Sequence, residues 1–176
     1  MTSLLAAIHR TPDGSVVELR RLLRTDPEDA WDALVSPDRA ARWLGRLTGD
    51  LREGGSCRIT FDDQDPSAVV DGRIRRCRPT EELELTWQAP GDPVSVVHVE
   101  LSPVEGGTEL HLVHRDLQHA QDTGHAAGWQ VHLEQLAAGL EQDDWFDRWE
   151  SWAGLQQAYA GAVDQRPDET GAPAQP

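Results

Sequence analysis

Residues 107–114 alternate: Thr108, Leu110, Leu112 and His114 are interleaved with Glu109, His111 and Val113. That period of two predicts a half-buried strand with the first set facing inward. After a polar link, Trp129, Leu133, Leu136 and Leu140 recur at helical spacing and share one face of a long helix running to about residue 140. A helix with such a face, following the last strand of an antiparallel set, is expected to lie across the sheet. The space between them is either core or pocket.

The same patterns organise the rest of the chain. Thr11-Pro12-Asp13-Gly14 is a turn signal that separates 4–9 from 16–24, predicting an opening hairpin. Asp26 followed by Pro27 predicts a helix N-cap and first helical position, with Ala30, Trp31 and Leu34 as the apolar side. Ser36-Pro37-Asp38 repeats this logic for a second short helix carrying Ala40, Trp43 and Leu44. From Asp50 the period becomes two: Cys57, Ile59 and Phe61; then 70–77; then Leu83, Leu85 and Trp87; then Val97, Val99 and Leu101. The intervening Pro, Gly and Asp clusters make this an antiparallel meander with one covered and one wetter face. Asp143-Asp144-Trp145 is expected to open a further helix over 144–163, with Trp145, Trp149, Trp152, Leu155 and Tyr159 on its packing side. Residues 164–176 lack periodicity and are expected to be a disordered tail.

Composition narrows the function classes. The length of 176 residues suits one domain with a substantial core. A net charge of −15, with every basic residue an Arg, disfavours nucleic acid and anionic membrane as partners. Seven Trp against two Phe and one Tyr means that indoles supply most of the aromatic area, in core or cavity wall. The apolar run Leu4-Leu5-Ala6-Ala7-Ile8 is too short for a signal-peptide core, no segment reaches membrane-spanning length, and the expected compartment is the cytoplasm. Cys57 and Cys77 sit in strand-like segments and read as small buried hydrophobes rather than a disulfide pair.

Order and spacing together carry a resemblance. The residues are Arg21, Pro27, Ala30-Trp31-Asp32-Ala33-Leu34, Arg42-Trp43-Leu44 and Gly54-Gly55. They continue with Gly72-Arg73-Ile74, Leu83-Glu84-Leu85-Thr86-Trp87, Gly106-Gly107-Thr108-Glu109-Leu110, His114, Gly128-Trp129, His132-Leu133 and Leu136. Over about residues 4–159 the chain resembles the START-like (SRPBCC) superfamily. Within it, the chain is similar to bacterial single-domain proteins related to the C-terminal domain of the activator of the ninety-kilodalton heat-shock protein ATPase. The resemblance implies an α+β helix-grip fold: a curved antiparallel sheet on a long C-terminal helix, two short helices after the first strands, and here an extra terminal helix. It assigns residues 1–163 to that domain. It also implies a cavity between sheet and helix, which in the superfamily holds lipids, sterols, polyketides or hormones, and in a minority of members performs polyketide cyclisation, aromatisation or dehydration. The eukaryotic activator engages its chaperone through a separate amino-terminal domain for which 176 residues leave no room, so chaperone activation is not expected here.

The expected ligand-binding residues are Trp87, Leu110, Leu112, His114, Trp129, Leu133 and Leu136, all on inward faces. An inward His114 is the candidate acid or base, or else a structural histidine satisfied within the core. No metal or cofactor site is expected: His111 and His114 face opposite ways on a strand, and His125 and His132 are two helical turns apart. Of the cluster Arg73, Arg75, Arg76 and Arg78, alternation puts Arg76 and Arg78 on the face opposite the other two, so Arg76 is the one Arg that could reach the pocket mouth. The leading expectation is a domain binding a hydrophobic or aromatic small molecule, with no reaction assigned. The alternatives are a polyketide cyclase-, aromatase- or dehydratase-type enzyme, or an interaction module homodimerising through its Trp-rich terminal helix. The last predicts a collapsed cavity and an exposed stripe of Trp145, Trp149 and Trp152.

Overall fold

The computed structural model describes residues 3–145 and 148–164. A hairpin of β1 (Ala6–Thr11) and β2 (Gly14–Leu23) opens the chain, as the turn signal predicts. Helices α1 (Pro27–Val35) and α2 (Pro37–Ala40) follow. Asp26 caps α1 by accepting the Asp29 amide at 2.8 Å, and Pro27 occupies a position whose N–H has no helical partner anyway. The indole N–H of Trp43 donates to the Ala33 carbonyl at 2.9 Å and ties the segment after α2 back to α1.

The meander comprises β3 (Arg46–Gly49), β4 (Ser56–Thr60), β5 (Val69–Arg78), β6 (Glu82–Trp87), β7 (Ser95–Val104) and β8 (Gly107–Leu117). All neighbours pair antiparallel in the order β1-β2-β8-β7-β6-β5-β4-β3. The hairpin therefore returns to lie beside the last strand. Strand β3 escapes the alternation analysis because its four residues bury only Leu47. A register shift between Ile74 and Arg76 overturns the expectation for the arginines. The extra residue resets the alternation, so Arg76 and Arg78 point outward, like Arg73 and Arg75, and both pair with Glu82.

After a 3-10 turn (His119–Gln121), helix α3 (Asp122–Gln142) crosses the inner face of the sheet. Its first residue is fully buried, with the Asp122 carboxylate accepting from Arg10 Nε and Ser15 Oγ, both at 2.7 Å. Those two bonds clamp the start of α3 to the opening hairpin and hold the Asp122 pKa low against the opposing effect of burial. Trp129, Leu133 and Leu136 pack on Leu19, Leu110, Leu112, Val97 and Val99 in one continuous core. The opposite side of α3 is buried as well, because α4 (Trp152–Asp164) packs against it, so α3 lies between sheet and helix rather than at a solvent boundary.

The link to α4 differs from the expected helix start at 144. Asp143 adopts the left-handed conformation (φ 53°) and ends α3, its amide donating to the Gly139 carbonyl at 3.0 Å. Trp145 then folds back over Gly139, where a β-carbon would collide with its ring. A 3-10 turn (Trp149–Ser151) leads into α4. Tyr159, buried in α4, accepts the Leu5 and Ala6 amides at 3.1 and 2.9 Å and donates to Gln130 of α3. One hydroxyl thus joins α4, α3 and the first strand. The tail expected from 164 lies, apart from Asp164, outside the described residues. Cys57 and Cys77 are both free, and burial pushes the Cys57 thiol up to about 11. No described helix is long and apolar enough to cross a membrane.

Candidate ligand-binding cleft

Sheet and α3 separate at one end of the grip, leaving a cleft of about 710 Å³ that opens to solvent. Helix α3 supplies one wall through His125, Gly128, Trp129 and His132, which recur at helical spacing. Trp87 and Val70 supply the sheet side, and Phe61, Asp92, Trp149 and Trp152 the rim. The two glycines Gly124 and Gly128 create this room: a β-carbon on Gly128 would stand 3.8 Å from Trp149 and 3.9 Å from Trp152.

Rings run without a break around the cleft. Trp87 and Trp129 lie 5.1 Å apart between centroids, Phe61 lies 6.1 Å from Trp87, and His132 lies 6.0 Å from Phe61 and 5.0 Å from Trp149. Phe61 and Trp149 are 40% and 42% exposed, so two of the largest apolar side chains left open to water border the same hollow. A paired apolar exposure of this kind marks a binding surface more often than an isolated one does.

Behind the tryptophans lies a closed polar chain. The Trp129 indole N–H can only donate, and it reaches His114 Nδ1 at 3.0 Å, so Nδ1 accepts and the neutral ring carries its proton on Nε2. That proton faces Ser95 Oγ at 2.8 Å, and Ser95 in turn donates to the Trp87 carbonyl at 3.0 Å. Both nitrogens of His114 are therefore committed, and the side chain is fully buried. Burial holds its pKa well below the ordinary histidine value, with the neighbouring His125 adding to the shift. His125 itself packs edge-on at 4.8 Å and donates through Nδ1 to the Gln121 carbonyl at 2.9 Å. In the neutral ring this leaves Nε2 as the accepting nitrogen. His132 donates through Nδ1 to the Trp43 carbonyl at 2.6 Å, an anchor from α3 to the segment after α2.

The residues expected from the sequence divide into three groups. Trp87 and Trp129 line the cleft. Leu110, Leu112 and Leu133 instead face a separate apolar void of about 50 Å³ deeper in the core, which the two tryptophans wall off. Leu136 and His114 are buried and line neither space. Sequence reasoning missed Phe61, His125, His132, Trp149 and Trp152 as cleft residues. A usable signal existed for the histidines, since residues 125, 128 and 132 share the helical face of Trp129. Trp145 and Trp152 are half-buried within the chain and Trp149 lines the cleft, so no exposed three-Trp stripe forms.

On the outer face of the sheet, register brings Glu82 opposite Glu100 and beside His98, whose ligand-type atoms lie within 4.8 Å of one another. Spacing along the chain does not foretell this grouping, which cross-strand register creates. His98 Nε2 approaches Glu82 at 3.0 Å, and Arg76 and Arg78 compensate the same carboxylate.

A curved antiparallel sheet wrapped on a long helix, with a ring-lined cleft between them, defines a helix-grip domain of the START-like superfamily. The chain belongs to the family described as Activator of Hsp90 ATPase homolog 1-like protein, which matches residues 24–141. No curated protein matches it. Among solved structures it is similar to CalU16 from Micromonospora echinospora, at 25% identity over 91% of this chain and 96% of that one, with a TM-score of 0.72. A Chromobacterium violaceum protein is 27% identical over 73% of this chain and 99% of its own, with a TM-score of 0.64. DynU16, a protein of the dynemicin biosynthetic locus, shares the fold at 24% identity and a TM-score of 0.68; the match covers 76% of this chain and 49% of that one.

Proposed function

We propose that this chain is a binding domain for a flat, hydrophobic or aromatic small molecule, taken up between the sheet and α3, with no reaction assigned. The observation that carries the reading is the continuous wall of rings around a cleft of about 710 Å³, a volume within the usual range for small-ligand sites. Trp87 and Trp129 are the inner faces for stacking, Phe61 and Trp149 the outer ones, and His125 and Gln121 the polar groups that orient a ligand. His114 acts from behind as a positioning residue. Leu110, Leu112, Leu133 and Leu136 support the wall as core.

The enzymatic alternative requires a proton-transfer group inside the cleft. His114, with both nitrogens occupied, does not supply one, and that role would pass to His125. The binding reading needs no such group.

The test is a fluorescence titration with N-phenyl-1-naphthylamine, an uncharged aromatic probe, on the whole chain and on two variants. Phe61→Ala removes a rim ring that is already 40% exposed, and Gly128→Leu fills the cleft where a β-carbon has room. Saturable one-to-one uptake is expected, weakened at least about threefold in the first variant and abolished in the second, with unchanged circular dichroism. Absence of uptake, or equal uptake by all three proteins, overturns the proposal. Native mass spectrometry of the same samples reports any carried ligand and whether a second copy associates.

A further inference from the structure

Building on the binding reading above, we infer that the cleft selects a cationic aromatic ligand, an aryl-alkyl ammonium, over its neutral and anionic counterparts, with Asp92 as the counter-ion. Among the described residues lining the cleft, Asp92 is the single carboxylate and no Arg is present. Since the chain contains no Lys, it has no permanent cation at this wall to receive an anion. Asp92 stands in the turn between β6 and β7, half-buried, with its amide bonded to Ala89 and its carbonyl accepting from Gln88. Its carboxylate makes no hydrogen bond or ion pair among the described residues, whereas the outer-face carboxylates of Glu18, Glu82 and Glu84 all have cationic or histidine partners.

The aromatic wall has the same electrostatic preference. Each indole or phenyl face carries a negative quadrupole that attracts a cation within about 6 Å of the ring centroid. Trp87, Trp129 and Phe61 line one volume, with neighbouring centroids 5.1 and 6.1 Å apart. An ammonium head can therefore meet π-faces and the Asp92 carboxylate together, while its aryl body occupies the apolar floor. A carboxylate or phosphate in the same place would lose its hydration and gain no cation. His125 and His132 are the other ionisable groups at the wall, and the Nδ1 of each is already engaged, with the Gln121 and Trp43 carbonyls respectively.

Isothermal titration at pH 8 with three naphthalenes tests this: 2-(aminomethyl)naphthalene as the cation, 2-naphthol as the neutral body and 2-naphthoate as the anion. Physiological salt, with a Debye length of about 8 Å, suppresses the general attraction of an acidic protein for cations. The ammonium is expected to bind at least about tenfold more tightly than the naphthoate and more tightly than the naphthol. Asp92→Asn should weaken the ammonium about fivefold and leave the naphthol within about twofold. The inference is overturned if the naphthoate or naphthol binds as well as the ammonium, or if Asp92→Asn leaves the ammonium affinity within about twofold of the parent's; uptake of the naphthol in either case keeps the binding reading intact. If none of the three binds, the binding reading itself fails and this inference fails with it.

Discussion

Replacing His114 by Leu isolates the buried polar chain behind the cleft. Leucine keeps much of the volume, so the shape change costs no more than about 1.5 kcal/mol. The larger effect is electrostatic: the Trp129 indole N–H loses its acceptor and is stranded in the core, which costs about 1–3 kcal/mol. Ser95 keeps its bond to the Trp87 carbonyl and adds little. A total of about 2–4 kcal/mol is expected, read as a lower urea midpoint at unchanged slope at pH 8. In a Trp129→Phe background the stranded donor no longer exists, and the same change should cost about 1–2 kcal/mol less. The pH dependence gives a second reading. The folded pKa of His114 lies below that of the unfolded chain, about 6.5. Above that pH both states hold the ring neutral. Below it the unfolded chain binds a proton that the folded one refuses, so stability falls by up to about 1.4 kcal/mol per pH unit until the folded pKa is reached. The Leu variant lacks this loss, so the stability gap between the two proteins should narrow as pH falls from 6.5 to 5. A variant within about 0.5 kcal/mol of the parent at pH 8, or two parallel curves between pH 6.5 and 5, would refute the proton assignment.

Two further substitutions probe the added helix. Gly139→Ala places a methyl group against the Trp145 ring and should cost about 1–3 kcal/mol with a red-shifted tryptophan emission, whereas Gly161→Ala, in open space on α4, should be neutral or slightly stabilising. Tyr159→Phe strands the Ala6 amide, leaves the Leu5 amide only its 3.2 Å bond to Gln130, and should raise hydrogen exchange in 4–7 by at least about tenfold while leaving β6 and β7 protected.

The elements were legible wherever periodicity is long and one face is covered. Strand β8 illustrates this: Thr108, Leu110, Leu112 and His114 are all buried, as alternation predicts. The cap and first position of α1 were equally readable from Asp26 and Pro27. Four features were not. Alternation tells which face a residue points to but not how closely the opposing helix approaches, so Leu110 and Leu112 gave no sign that α3 closes over them and opens farther along. The bulge at 74–76 inserts one residue and reverses the expectation for Arg76, an event that composition does not encode. Neither the Asp143 cap nor the Glu82–His98–Glu100 grouping could be foreseen, since one depends on a single left-handed residue and the other on cross-strand register.

His114 shows why an inward titratable residue is weak evidence for catalysis. The burial that singles it out removes the proton it would need to exchange and commits both nitrogens to neighbours. Those neighbours are the main point. Its Nδ1 holds the ring of Trp129, and its Nε2 acts through Ser95 on the backbone of Trp87, so one imidazole fixes both inner walls of the cleft relative to each other. Two large indoles free to rotate would lose conformational freedom on binding, whereas two fixed by a closed hydrogen-bond chain have already lost it on folding. Under the proposed binding function, the cleft would then meet its ligand as a preformed slot. It follows that His114→Leu should weaken probe uptake as well as stability, although the side chain touches no part of the space the probe occupies.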